Sequence, residues 1–148
     1  MRNFEIFILV FFFQSMLVVD AQTERFQRNG MVEFIRSEGQ VITVSSKHFS
    51  KEKKRVGYNC ERNALENILF RGISNSNQTN PMLEGVSELD SRLAELLEND
   101  YIQFIIYSEC VELNKSKKIY YATQVVSVDL QALRKYLEEK KVIRKFGL

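Results

Sequence analysis

The chain has 148 residues, 45% of them apolar and 27% charged, and 21 Lys and Arg against 19 Asp and Glu leave a net charge of +2. That balance is too mild for electrostatic capture of nucleic acid, and one proline with six glycines speaks against a low-complexity or disordered polymer. Two cysteines and one histidine are too few for a four-ligand zinc site, and neither a CxxC nor an HxxxH spacing occurs.

The chain begins MRNFEIFILVFFFQSMLVVDAQTERF. Arg2 supplies a short cationic lead, although Glu5 weakens it, and Ile6 to Val19 is apolar apart from Gln14 and Ser15. With Val19-Asp20-Ala21 closing the run, this has the shape of a secretory signal peptide cut after Ala21, and it is short for a bilayer span. The alternative is an uncleaved membrane anchor. No cysteine follows the run at the cleavage region, so a lipid-anchored variant has nothing to acylate. The expectation is a signal peptide over residues 1–21 and one domain over 22–148, periplasmic or secreted, with no membrane span after cleavage.

Within that domain, Met31–Arg36 and Gln40–Ser45 are β-branched, roughly alternating runs joined by Ser37-Glu38-Gly39, which reads as a β-hairpin. Ser50 reads as the N-cap of a helix reaching Phe70 or Arg71, with Gly72 ending it. Residues 73–85, ISNSNQTNPMLEG, are rich in turn formers and read as a loop. Ser87 and Asp90 resemble a capping box for a short second helix whose apolar stripe is Leu89, Leu93, Leu96 and Leu97. Tyr101–Glu112 reads as a long strand with Ile102, Phe104 and Ile106 on its inner face. A polar turn at 114–117 leads to a returning strand, Ile119–Val128. Asp129 caps a last helix bearing Leu130, Leu133 and Leu137, with Val128 stapled on Leu133. The order β-β-α-α-β-β-α predicts an α+β, two-layer domain with a mostly antiparallel four-stranded sheet and helices packed on one face.

On the long helix, Gly57, Cys60, Ala64 and Ile68 fall on one stripe at about 100° per residue. Three of the four are small, so the helix can lie close to a sheet with Cys60 inward. Cys110 shares the parity of Ile102, Phe104 and Ile106, so without a bulge it also faces inward. Export and the even count favour a disulfide between Cys60 and Cys110; two buried thiols are the alternative, since bonding needs Cα atoms within roughly 7 Å. Either role is structural. A catalytic thiol wants exposure and a nearby base, and His48, in the Ser-rich stretch SSKHFS, reads as a surface residue.

Lys51, Lys53, Lys54 and Arg55 crowd the start of the long helix, which is either an anion-binding site or a solvated helix end. Tyr101, Tyr107, Tyr120 and Tyr121 read as packing residues rather than a stacking platform. Glu138 and Glu139 are adjacent on a helix and cannot flank one bond, and Asp129 lies well away along the same helix. No GxSxG, phosphate loop or Ser/His/Asp set occurs, so no catalytic residue, metal or cofactor is assigned. Asn77-Gln-Thr79 and Asn114-Lys-Ser116 match the glycosylation sequon, which matters only in a eukaryotic secretory host.

KEKKRVGYNCERNALENILFRGI (residues 51–73) and YYATQVVSVDLQALRKYLEEKKVIRKFG (residues 120–147) resemble the long helix and the closing strand-to-helix unit of small exported bacterial domains. The set includes the N-terminal domain of flagellar assembly protein T and related envelope lipoproteins. The Ala21-Gln22 junction resembles signal peptides common in Bacteroidota. This chain departs in lacking a lipid-anchor cysteine and in placing Cys60 where a small residue such as alanine is expected. The resemblance implies a non-enzymatic, protein-binding part of an envelope machine, with other envelope proteins as partners and no catalytic residues to carry over. The competing expectation is a small secreted enzyme or enzyme inhibitor using the 73–85 loop as its contact surface, with residues 75–80 dispensable for folding.

Overall fold

The computed structural model describes residues 30–85 and 91–144. Two hairpins make one sheet. Strand β1 (Met31–Glu38) turns at Gly39 into β2 (Val41–Ser50), and β3 (Ile105–Ser116) turns through Lys117 and Lys118 into β4 (Ile119–Asp129). Between the hairpins come helix α1 (Lys53–Phe70), helix α2 (Ser91–Glu98) and a short 3₁₀ helix (Asp100–Phe104); helix α3 (Leu130–Glu139) follows β4. All pairings are antiparallel and the strand order is β1-β2-β4-β3. The α+β, two-layer architecture read from the element order therefore stands. Ser87, Leu89 and Asp90, the capping box and part of the stripe assigned to the second helix, lie outside the described residues.

Period-2 alternation sorts β2 and β4 into two faces. Ile42, Val44, Val126 and Val128 are fully buried and meet Ala64, Leu65, Ile68 and Leu69 of α1 in one core. Leu93, Leu96 and Leu97 of α2 and Leu130, Leu133 and Leu137 of α3 extend it. The stripe of small residues behaves as its composition demands. Cys60, Ala64 and Ile68 are wholly buried, and a Cβ added at Gly57 would already touch the Gln124 side chain at 3.6 Å. Asp129 caps α3 by accepting the backbone N–H groups of Gln131 and Ala132, each at 2.9 Å.

Three expectations are corrected. First, β2 continues to Ser50 and carries His48 inside, 4% exposed, its ring stacked on Phe49 and its Nδ1 2.9 Å from the Phe49 carbonyl. The inner face here is polar. Asn63 Nδ2 donates to Ser46 Oγ at 3.0 Å, and Ser46 Oγ donates to the Cys60 carbonyl at 2.7 Å, so hydrogen bonds replace apolar contacts beneath α1. Second, Ser50 is not the N-cap. Glu52 occupies that position without a side-chain cap, while Ser50 Oγ accepts the Glu52 N–H at 3.1 Å. Third, residues 100–104 are 3₁₀ helix rather than strand, burying Tyr101 and Phe104 and leaving Ile102 64% exposed.

Candidate functional site

The two thiols are free, one buried and one exposed, so the disulfide expected between Cys60 and Cys110 is not formed. Cys110 does look toward the helix side, being paired with Gln124, whose parity on β4 is that of the buried valines. But β3 is the outermost strand and α1 covers β2 and β4, so Cys110 stands beyond the helix's shelter. Each sulfur engages a different carbonyl: Cys60 Sγ donates to Ala122 at 3.5 Å and Cys110 Sγ to Glu112 at 3.4 Å.

Burial, more than the neighbouring Cys110 and Glu61, pushes the Cys60 thiol up to about 12. Native protein is therefore expected to take up an alkylating reagent at Cys110 alone, with Cys60 modified only in denaturant. Mass spectrometry reads the count, and two fast additions would contradict the buried placement. The same shift fixes the sign of an alkaline effect. Below pH 9, the ordinary thiol value, Cys60 is neutral in both folded and unfolded chains and its contribution to stability is complete. Above it only the unfolded chain ionises, so stability falls toward pH 12 by up to about 1.4 kcal/mol per pH unit. Tyr101 and Tyr136, raised first by burial and then by Glu61 and Asp100 respectively, act in the same direction. Denaturant titrations of Cys60→Ala should show a shallower decline just above pH 9; an unchanged slope would contradict the account.

Lys51, Lys53 and Lys54 are exposed, and Arg55 is turned back onto Glu52 at 3.4 Å, a carboxylate that competes with any incoming anion. Arg62 and Glu66 form the most enclosed ion pair among the described residues, at 2.9 Å; burial works against the guanidinium charge, but Glu66 and Tyr58 outweigh it and raise its pKa. Tyr101 lies edge-on to Tyr58 at 5.2 Å and donates to Glu61 at 3.2 Å, while Tyr136 donates to Asp100 at 2.6 Å. These tyrosines fasten helices together. Tyr120 lies under the Lys115 ammonium at 5.0 Å, and Tyr121 tilts on Phe49 at 6.1 Å. Among the described residues no three His, Cys, Asp or Glu side chains converge as a metal site requires, and no helix is long and apolar enough to cross a membrane.

The 73–85 loop is stitched down rather than free. Ile73, Met82 and Leu83 are buried, and the Met82 and Leu83 N–H groups bond the Ile68 and Leu69 carbonyls at 3.2 and 2.9 Å. Asn77 Nδ2 donates to the Gly39 carbonyl at 3.2 Å and its Oδ1 accepts from Ser37 Oγ at 2.9 Å, hooking the loop onto the β1–β2 turn. Residues 75–80 are thus part of the fastening, which corrects their expected dispensability.

What remains is the sheet face turned away from the helices. At one end its central strands carry small side chains, Thr43 and Ser45 on β2 and Thr123, Val125 and Ser127 on β4; Lys47 and Phe49 of β2 and Tyr121 of β4 follow on the same face. The outer strands carry larger ones on this face, Ile35 and Arg36 on β1 and Ile106, Tyr107 and Glu109 on β3. Pairing registers shift between Phe34 and Arg36 in β1 and between Ile105 and Tyr107 in β3, so each strand has a bulge that projects an extra isoleucine, Ile35 and Ile106. These two, 46% and 58% exposed, form opposite walls of a hollow of about 670 Å³, completed by Tyr107, Val41 and Val125 with Arg36, Glu38 and Glu109 at the rim. Thr43 and Ser127 on its floor share a hydrogen bond of 2.8 Å and are each only 6% exposed, although no described helix covers them. A second hollow of about 240 Å³, edged by Met31, Lys47, Phe49, Glu112 and Tyr121, continues the trough toward the other end.

The trough's charge is uneven. On the β1 side Arg36 pairs with Glu38 at 3.2 Å and Lys47 with Glu33 at 3.9 Å. On the β3 side Glu109 accepts from the Tyr107 hydroxyl, and Glu112 from Asn114 and Thr123; among the described residues neither carboxylate has a cation partner. Neither cysteine and none of the four cations singled out from sequence lies in this trough; of the tyrosines read as packing residues, Tyr107 and Tyr121 border it, 48% and 43% exposed. The overlooked signal is the pair of apolar doublets, Phe34-Ile35 and Ile105-Ile106, which break period-2 alternation where the bulges fall. Comparison of the chain with protein-family models, curated proteins and solved structures gave no match.

Proposed function

We propose that this chain is an exported, non-enzymatic component of a periplasmic or cell-surface machine, and that it works by holding another envelope protein on the open face of its sheet. The observation that carries this reading is the trough, a preformed hollow within the size range of binding sites, walled by exposed isoleucines and left bare by every described helix. The floor hydroxyls of Thr43 and Ser127 bond each other rather than an activating base, so the trough offers shape and apolar contact but no activated nucleophile. The apolar run ahead of Ala21 supports export. The resemblance of residues 51–73 and 120–147 to envelope assembly domains supports an assembly role.

The test is site-specific photo-crosslinking in living cells. A photoreactive side chain at Ile106 should give a heterologous adduct of defined mass, and one at the exposed Lys135 of α3 should not. Absence of any adduct from Ile106 would overturn the reading.

A further inference from the structure

We infer that the occupant of the trough is an amphipathic helix of a partner protein, with small or apolar residues along its buried stripe and Lys or Arg flanking that stripe. This rests on the docking reading above and adds the chemistry of the partner.

Three features carry it. The first is the floor. Thr43, Ser45, Thr123, Val125 and Ser127 are short side chains, and short side chains on a sheet let a cylinder of backbone come close. The second is backbone satisfaction. An extended segment laid on a sheet face would leave its N–H and C=O groups against side chains, whereas a helix brings them already paired. From Val41 to Phe49 the face runs about 27 Å at the strand rise, the length of a helix of about 18 residues; the short side chains floor its Val41–Ser45 end, and the larger Lys47, Phe49 and Tyr121 floor the other. The opposite face of the same sheet is already covered by α1, of 18 residues. The third is charge. The chain as a whole is mildly basic, with 21 cations against 19 anions, yet the trough's β3 wall presents Glu109 and Glu112 without cation partners among the described residues, while Arg36 of β1 and Lys47 of β2 are paired with Glu38 and Glu33. A helix flanked by Lys or Arg complements that wall; one flanked by acids is repelled.

The experiment uses three helical peptides of about 18 residues that share one Leu/Ala stripe and carry Lys, Gln or Glu at the flanking positions. Binding to the purified protein is followed by fluorescence anisotropy at about 20 mM and about 300 mM salt. The Lys peptide is expected to bind about tenfold more tightly than the Gln peptide at low salt, as two screened surface charge contacts supply. The Glu peptide should bind weakest, and the order should compress at high salt. Glu109→Lys with Glu112→Lys should reverse the order of the Lys and Glu peptides. Ile106→Arg, at an exposed position, should weaken all three while leaving thermal unfolding unchanged. Equal affinity for the three peptides, no binding of any, or an order that survives the charge reversal would overturn the inference. If crosslinks from Ile106 to a partner persist beside such a result, the docking reading stands and only the occupant's chemistry falls. If those crosslinks are absent, the docking reading itself falls.

Discussion

Replacing Ile68 by alanine is expected to destabilise the protein by about 2–5 kcal/mol, with the midpoint of urea unfolding falling and its slope unchanged. Ile68 is completely buried in the core where α1 lies on the sheet, among Ile42, Val44, Val126 and Leu65. Its neighbours along the stripe, Ala64 and Cys60, are small, so no long side chain on that row can swing in to fill the vacated volume. The cost should therefore lie toward the upper part of the range. Its carbonyl also accepts the Met82 N–H at 3.2 Å, so relaxation of the helix toward the hole would strain the loop anchored there. A cost below about 1 kcal/mol, typical of surface sites, would contradict the packing described.

Gly72→Ala is expected to be comparably damaging, at about 3 kcal/mol or more. Gly72 follows α1 at φ +74°, and a Cβ built there would stand 2.0 Å from the Thr79 carbonyl oxygen. Backbone cannot yield as a flexible side chain would. The turn is held by the Gly72 N–H on the Asn67 carbonyl at 2.8 Å and by the Ile73 N–H on the Gln78 carbonyl at 2.7 Å. Gly39 is the control, with φ +60° but nothing within 4 Å of an added Cβ. Gly39→Ala should cost only the left-handed penalty of about 1–2 kcal/mol. Equal losses from the two substitutions would mean that the close approach of residue 79 is not a constraint.

Local periodicity and punctuation made much of the fold legible. Gly39 announced the first hairpin, Gly72 the end of α1, and Asp129 the cap of α3, because each acts on its immediate neighbours. The Gly57–Cys60–Ala64–Ile68 stripe announced which side of α1 is buried. Where the sequence misled, a non-local contact had overridden local pattern. Ser46, His48 and Ser50 look like a polar connector, yet β2 runs through them because Asn63 and the Cys60 carbonyl supply hydrogen-bonding partners from the next helix once it folds back over the sheet. Ile102, Phe104 and Ile106 look like one strand face; the three-residue spacing of buried Tyr101 and Phe104 instead fits a 3₁₀ turn. Cys110 is turned toward the helices, but not by the parity it shares with Ile106, which the bulge sends to the other face, and its exposure depends on β3 being outermost. The order β1-β2-β4-β3 is set by long-range pairing that no local run encodes. The trough went unread for the same reason. Its walls come from bulges in two strands at opposite edges of the sheet, and its floor from small polar residues that have no meaning until β2 and β4 are placed side by side.

The claim on which the functional reading depends is that one sheet face is uncovered in the isolated protein. Relaxation of isoleucine methyl signals by a soluble paramagnetic agent measures that directly. Ile35 and Ile106 should broaden strongly while Ile42, beneath α1, and Ile68, on the buried side of α1, stay sharp. If Ile35 and Ile106 are shielded as well as Ile42, the face is already covered in the protein alone and there is no trough for a partner to enter.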